Sequence, residues 1–213
     1  MKLKFEIELD GTTSDSRIIT VSDKQSQTPC HSFTKQFAPD GIYIFTESGQ
    51  LILPKFWGNY ENSEEAKYIA FVKGDMKRMI ALKGSDEGLE LLEDGVKVAL
   101  EEYSSIDAAL KDNSGYSNTE KLLKVDSKVA EFCKELGKEW YLPAIGEMNA
   151  FYTIKKEVDA ALAIAGGEPF FYGWHWTSTR YSSCRNWVYL WGNGNRDDDS
   201  QGSNYRVRPV SAF

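Results

Sequence analysis

The chain has 213 residues, of which 41% are hydrophobic, and it carries a formal net charge of −7. This length and composition suffice for one sizeable core, or for a main domain with a smaller N-terminal element. A negatively charged chain is unsuited to the phosphates of nucleic acid, so we expect no nucleic-acid partner. No apolar run approaches the ~20 residues that span a bilayer, so we also expect no membrane insertion.

The first ten residues, MKLKFEIELD, alternate apolar and polar side chains. This period of two is typical of a strand and not of a signal peptide. Since no signal peptide is recognised, we expect the protein in the cytoplasm or in a phage particle. The three cysteines, Cys30, Cys133 and Cys184, are too far apart in sequence for a disulfide framework or a CxxC zinc site, which fits a reducing compartment.

Short runs rich in β-branched and aromatic residues predict a series of strands in the first half of the chain. They lie at 2–9, 17–21, 41–46, 51–53, 68–72 and 78–82, with a hairpin turn at ESGQ. A polar stretch from Gln25 to Phe37 marks a boundary between an N-terminal β arm at 1–37 and a main domain at 38–213. By analogy alone, the arm is assigned to the assembly of a homo-oligomer. The acid-rich segment 85–115 predicts a long loop with a short helix.

Two helices are predicted after this loop. The first starts at an N-cap on Ser117 or Thr119 and ends at Gly137, and its apolar residues recur at three- and four-residue spacing. That spacing places Cys133 on the buried stripe as a structural, inert thiol. The second helix begins after Pro143 and carries an apolar stripe typical of a core helix, until a Gly-Gly pair ends it.

The amino-acid composition of the chain changes after the second predicted helix. Nine aromatic residues lie between Phe170 and Trp191, and the run WVYLW at 187–191 alternates as a strand does. Its three aromatic residues share one face and its two aliphatic residues share the other, so one face is available for exposure. The residues GNGN at 192–195 predict a hairpin turn, and the return strand is predicted to run on through YRVRPV at 205–210.

The chain lacks the common signatures of catalysis. His31 and His175 lie in no metal-binding or triad motif, and no P-loop or GxGxxG is present. The run from Asp197 to Asp199 lacks EF-hand spacing, and consecutive strand residues point to opposite faces, so we expect no metal site and no cofactor.

The composition of the C-terminal region instead favours binding. No Lys or Glu follows Glu168, and Tyr, Ser, Gly, Asn and Arg are frequent there, which is typical of binding loops such as paratopes.

Five blocks of sequence carry a more specific resemblance. They are WYLPAIGEMNAFY at 140–152, WHWTSTRY at 174–181, NW at 186–187, NGN at 193–195 and YRVRPVSAF at 205–213. Together they resemble the variable proteins of diversity-generating retroelements, strongly over residues 140–213 and more weakly over residues 40–139; the resemblance says little about residues 1–36. The resemblance implies an α+β domain of C-type-lectin-like fold, related to formylglycine-generating enzymes, with two helices and a Trp-rich C-terminal antiparallel sheet.

The resemblance also implies a reason for the unusual composition. In such systems a reverse transcriptase copies a template with errors at adenines, so Asn codons of the form AAC become NNC. An NNC codon never encodes Lys, Glu, Gln, Trp or Met, which fits the missing Lys and Glu. Four residues of this region cannot arise from AAC and are assigned to the framework: Trp176, Trp187, Trp191 and Gln201.

Carried over position by position, the resemblance implies a hypervariable region at about 175–205 that binds a protein or a cell-surface receptor. The implied ligand-binding residues are His175, Tyr181, Ser183, Cys184, Arg185, Tyr189, Gly192, Asn193, Asn195, Asp197, Asp198, Asp199, Ser200, Gly202, Ser203 and Tyr205. Cys184 is interpreted as one outcome of diversification, since no second Cys, His or base is near it in sequence.

Two alternatives to a diversified binder stay open. An enzyme of the formylglycine-generating kind predicts that Cys184→Ser abolishes a turnover. A lectin-like adhesin or phage tail subunit without diversification predicts an invariant C-terminus among sibling clones. The EPN, QPD and WND motifs of Ca²⁺-dependent lectins are missing. We expect a binding protein and not an enzyme.

Overall fold

The structure is a computed structural model that describes residues 32–59 and 65–213. Its strands are β1 (Ser32–Phe33), β2 (Gly41–Thr46), β3 (Leu51–Ile52), β4 (Ala66–Lys73), β5 (Met76–Ala81), β6 (Leu89–Glu90), β7 (Trp140–Tyr141), β8 (Trp174–Ser182), β9 (Arg185–Leu190), β10 (Arg196–Ser200), β11 (Asn204–Tyr205) and β12 (Val210–Ala212). Its α-helices are α1 (Ile106–Ala109), α2 (Gly115–Leu123), α3 (Lys128–Glu135), α4 (Ile145–Tyr152) and α5 (Lys155–Ile164), and a 3₁₀ helix spans Pro54–Asn59. The predicted α+β class is confirmed.

Most of the predicted N-terminal β arm lies outside the described residues. This holds for the strands predicted at 2–9 and 17–21 and for the role in assembly. Within residues 32–59 and 65–213, no helix is long and apolar enough to cross a membrane.

A seven-stranded antiparallel sheet forms the base of the domain, in the order β1-β3-β2-β4-β5-β12-β7. The predicted hairpin at ESGQ is confirmed, since Phe45 pairs with Leu51 and the amide of Thr46 donates to the carbonyl of Gln50 at 3.0 Å. Gly49 supplies the turn with a φ of 86°, a value that other residues rarely adopt. Strand β12 is inserted between β5 and β7, so the last strand of the chain is an inner strand of this sheet.

The first predicted helix is in fact two helices, α2 and α3. Asp126 adopts a φ of 56°, which ends the helical path, and the side chain of Ser127 then caps α3 by accepting from the amide of Ala130 at 3.3 Å. Thr119, a predicted N-cap, lies within α2 and donates to the carbonyl of Gly115 at 2.8 Å. Burial of Cys133 on α3 raises the pKa of its thiol, as expected for an inert cysteine.

The second predicted helix is likewise two helices, α4 and α5, which break at Thr153 and Ile154. Their apolar stripe is buried as predicted and packs between the large sheet and strand β9. Phe71 of β4 meets Phe151 of α4 edge to face, with ring centroids 5.0 Å apart. The helices therefore fix the position of the C-terminal strands relative to the large sheet.

A buried carboxylate ties the start of α4 to the large sheet. Glu147 is fully buried and accepts hydrogen bonds from Arg78 Nε at 2.5 Å, the Tyr141 hydroxyl at 2.9 Å and the amide of Ala144 at 2.9 Å. Burial raises the pKa of this carboxyl, while Arg78 opposes the rise. The ion pair joins β5, β7 and α4 at one point.

We predict that Glu147→Gln lowers the free energy of unfolding by about 3 kcal/mol, because the buried amide leaves the partly buried guanidinium of Arg78 without its charged partner. The matched change Glu135→Gln, at an exposed position, is expected to stay within about 0.5 kcal/mol of the parent. Equilibrium unfolding in urea measures both values. Equal stability of the two variants would contradict the assigned role of Glu147.

Candidate functional site

The C-terminal sheet consists of three strands in the order β10-β9-β8. On β9, Trp187 and Tyr189 face a core cluster that includes α4 and α5, whereas Val188 packs with Trp176 into a second cluster that includes α3. Trp176, Val188 and Tyr189 are at most 1% exposed. The expectation that one face of the strand at 187–191 is available for exposure is therefore wrong, because the two core clusters cover both faces of β9.

The predicted turn at 192–195 is confirmed. The amide of Leu190 donates to the carbonyl of Asn195 at 2.8 Å, and Gly194 adopts a φ of 80°. Strand β10 then returns along β9, with Arg196 opposite Tyr189. The return strand ends at Ser200, and the continuation predicted through 205–210 is wrong, because β11 pairs with β6 and β12 joins the large sheet.

We define the C-terminal face as the β8–β9 turn at 183–184, strand β10 and the β9–β10 turn at 192–195. Among the described residues β10 pairs with β9 alone, so its outer edge is open to a ligand. The two turns lie at opposite ends of β9, about 20 Å apart for a strand of this length. The C-terminal face is thus an edge with a turn at each end.

The structure brings most of the predicted ligand-binding residues to this face or beside it. Those at exposed or half-buried positions are Tyr181, Ser183, Cys184, Arg185, Gly192, Asn193, Asn195, Asp197, Asp198, Asp199, Ser200, Gly202, Ser203 and Tyr205. The other two are buried: His175 is 2% exposed and Tyr189 is not exposed. Tyr189 donates from its hydroxyl to Asn149 Oδ1 at 3.2 Å, inside the core. Both residues are therefore buried and do not lie on the face.

Two carboxylates of strand β10 are paired with side chains beside the face. Arg185 forms an ion pair with the carboxylate of Asp198, and its Nη2 donates to the Asp198 carbonyl at 2.6 Å. Tyr205 donates to the carboxylate of Asp199, which lowers the pKa of that carboxyl. Burial and the same carboxylate raise the pKa of Tyr205 to about 12. A ligand must offer equivalent partners to displace these contacts.

A buried polar network holds the face from below, and only one of its members was assigned to the framework from the sequence. Gln201 is fully buried; its Nε2 donates to the carbonyls of Glu93 at 2.7 Å and Val96 at 2.9 Å. Arg180, 2% exposed, donates to the Ser183 carbonyl and to Gln201 Oε1 at 3.3 Å. This network fixes the β8–β9 turn and the end of β10 against the loop that contains residues 93–96.

The four residues assigned to the framework are all buried, at 6% exposure for Trp187 and none for Trp176, Trp191 and Gln201. The indole of Trp176 donates to the Leu89 carbonyl at 2.7 Å, and the indole of Trp187 donates to the Tyr103 carbonyl at 2.9 Å. These tryptophans therefore bridge the C-terminal sheet to preceding loops.

Two aromatic residues near the β9–β10 turn were missed by sequence reasoning. Phe171 and Tyr172 are 54% and 64% exposed, and the Tyr172 carbonyl accepts from the amide of Gly192 at 2.9 Å. The sequence shows that Phe171 and Tyr172 lie in a segment rich in aromatic residues. That richness does not separate exposed from buried residues, because the buried tryptophans lie in the same segment. Exposed aromatic side chains beside a turn are typical anchors for a ligand.

The cysteines and carboxylates form no reactive or metal-binding cluster in the described ranges. Cys184 is exposed and unpaired on the β8–β9 turn. No group of three or more His, Cys, Asp or Glu side chains within residues 32–59 and 65–213 has the arrangement of a metal site.

The buried network predicts that substitution of Gln201 destabilises the protein much more than substitution of a residue in the exposed β9–β10 turn. We predict that Gln201→Ala lowers the free energy of unfolding by about 3 kcal/mol, because it removes the donor to the Glu93 and Val96 carbonyls and one of the two acceptors of the buried Arg180. Asn195→Ala, at an exposed position of the β9–β10 turn, is expected to change it by no more than about 0.5 kcal/mol. Thermal or urea unfolding measures both, and a stable Gln201→Ala variant would refute the assigned role.

Acidification is predicted to destabilise the fold through His175. Burial, and then the positive charges of Arg208 and Arg206, lower the pKa of His175 from 6.5 to about 3. Between these values the unfolded chain binds a proton that the folded protein excludes. The free energy of unfolding therefore falls with decreasing pH by up to about 1.4 kcal/mol per pH unit.

Urea unfolding of the parent and of His175→Gln between pH 7 and pH 5 isolates this contribution. The variant lacks the titrating imidazole, so the parent's stability is expected to fall more steeply on acidification. Parallel pH profiles for the two proteins would contradict a buried, neutral His175.

Comparisons with known proteins give one informative likeness. No protein-family model matches the chain, and no curated protein matches it. A solved structure of a fimbrial protein from Bacteroides ovatus superposes with a TM-score of 0.61 at 13% identity, covering 83% of this chain and 49% of the fimbrial protein. The chain therefore spans about half the length of that protein. At this identity the likeness concerns the fold alone: the chain is folded like part of a fimbrial protein.

Proposed function

We propose that this protein is a ligand-binding display protein, with a domain of C-type-lectin-like fold and a C-terminal face diversified by a retroelement. The observation that carries the proposal is the division of residue types by burial in the last part of the chain. After Glu168, four of the five residues that an NNC codon cannot encode are buried, namely Trp176, Trp187, Trp191 and Gln201, and the fifth, Trp174, is half-buried. Every exposed position in this part of the chain carries a residue that such a codon can encode.

This division is unusual for a protein surface. Exposed positions are ordinarily rich in Lys and Glu, because both side chains solvate well and are rarely buried. On the C-terminal face these positions hold Ser183, Asn193, Asn195 and Asp197 instead, whereas the buried Gln201 has a codon outside the NNC set. Selection for solubility alone does not produce this pattern, and adenine-directed mutagenesis does.

The geometry suits repeated change of sequence. Each exposed substitution alters stability by about 0.5 kcal/mol, since it touches neither the tryptophans nor the Gln201 network. An edge strand with a turn at each end presents both backbone and side chains to a ligand. We assign the main anchors to Tyr181, Arg185, Phe171 and Tyr172, which lie beside the face, because aromatic and Arg side chains contribute most at interfaces.

The ligand is proposed to be a protein or a receptor on a cell surface, and the activity is binding and not catalysis. The likeness to a fimbrial protein supports a role in display, and it favours a second candidate, an adhesin with a fixed face. Both a phage particle and a cell surface are settings that suit such a face. The two candidates differ in whether the C-terminal codons vary.

Sequencing of the gene's 3′ end and the neighbouring DNA decides between them. A diversified face predicts a near-repeat of the last ~130 bases that differs almost only where it carries adenine, next to a reverse-transcriptase gene. The codons of Asn193, Asn195 and Asp197 are expected to align with adenines of that repeat, whereas those of Trp187 and Gln201 are not.

The buried positions serve as the control in the same experiment. Sibling clones should vary at the exposed codons and agree at the buried ones. An invariant C-terminus with no repeat nearby would refute diversification and leave the fixed adhesin. A turnover that is lost on Cys184→Ser would refute both and favour the enzyme of the formylglycine-generating kind.

A further inference from the structure

A cavity of about 270 Å³ lies beside the start of β8, and its lining is largely outside the predicted variable set. Phe171 and His175 contribute one part of the lining, Arg206 and Arg208 another, and the loop at Gly84 and Ser85 a third. His175 is bridged to Arg206 along the backbone. A cavity of this volume holds a small organic molecule.

The buried donors of this cavity are incompletely satisfied. Arg208 is 3% exposed and donates from Nη1 to the Ala81 carbonyl at 3.0 Å and from Nη2 to the Glu168 carbonyl at 3.0 Å. Its Nε is buried without an acceptor in the described part of the chain. A buried, unpaired N–H of a guanidinium is costly, so an acceptor at this point would be stabilising.

The loop beside Arg208 preserves space around that nitrogen. A Cβ atom at position 84 would lie 3.4 Å from Arg208 Nε and 2.6 Å from the Val207 carbonyl oxygen, so Gly84 permits the close approach of the loop. The hydroxyl of Ser85 accepts from the amide of Val207 at 3.0 Å, which leaves its own hydrogen free to donate.

Arg206 provides a second guanidinium on an apolar wall. Its Nη1 donates to the Ser85 carbonyl at 2.7 Å, and its guanidinium lies over the ring of Phe171 at 5.1 Å. Its remaining N–H groups have no acceptor among the described residues. The carboxylates of Asp86 and Glu168 also line the cavity but are exposed, so water screens them more than it screens the buried donors.

We infer that this cavity is a binding site for a small carboxylate carried on an apolar or aromatic group. The carboxylate accepts from Arg206, Arg208 and Ser85, and the apolar group packs on Phe171. His175 is neutral near pH 7, because burial and the two arginines lower its pKa to about 3, so the charge around the ligand comes from the guanidinium groups. The site does not depend on diversification of the C-terminal face.

An NMR titration of the full chain tests this site with benzoate as the probe. Benzoate is expected to shift the amides of Gly84, Ser85 and Val207 in a saturable manner, whereas the neutral isostere benzamide is not. Arg206→Gln should weaken benzoate binding roughly tenfold or more, as expected for the loss of a charge-assisted hydrogen bond. Arg185→Gln, which removes the same charge at the opposite end of β9, should leave it unchanged.

Phe171→Ala provides a second variant that does not threaten the fold, since its side chain is 54% exposed. It should weaken benzoate binding and leave acetate binding unchanged. Equal binding of benzamide and benzoate, equal weakening by Arg185→Gln, or binding of inorganic phosphate in place of benzoate would each overturn the inference. None of these results bears on whether the gene's 3′ end is diversified, so the two proposals fail separately.

Discussion

Strands β8 and β9 of the C-terminal sheet are buried on both faces over most of their length, and this constraint governs which positions of the sheet can change without disturbing the core. Trp187 and Tyr189 pack on one side of the sheet, and Val188 and Trp176 pack on the other. A strand in this environment cannot change its side chains freely, because each alteration changes the volume of a close-packed core. Sequence freedom is left to the edge of β10 and to the two turns.

The alternating pattern of WVYLW predicted the strand and the separation of its faces, but it could not predict what packs on each face. Alternation is a local property of the sequence. The burial of Tyr189, in contrast, depends on packing against α4, where its hydroxyl contacts Asn149, a residue 40 positions earlier in the chain. The same limit explains His175, which the resemblance placed among the ligand-binding residues but which is buried. In contrast, the burial of the tryptophans and Gln201 agrees with the framework that the resemblance implied.

The helices illustrate a second limit of sequence reasoning. Their apolar stripes were recognised correctly from spacing, yet each predicted helix is interrupted once. At the first interruption Asp126 takes a left-handed conformation and Ser127 then caps the next helix; both residue types are tolerated within helices as well. A continuous helix and an interrupted one differ by about 1 kcal/mol at such a position, so tertiary contacts decide which of the two forms. Here Ser127 also donates to the Leu91 carbonyl at 2.6 Å.

The position of β12 has a consequence for mutations that truncate the chain or shift its reading frame. This strand follows the C-terminal face in the chain but lies between β5 and β7, in the interior of the large sheet. A frameshift or premature stop within the codons of the face therefore removes an inner strand from a distant part of the molecule. The large sheet cannot close until residues after the face have been synthesised. An intact reading frame through the codons of the face is therefore required before the large sheet can receive its inner strand β12.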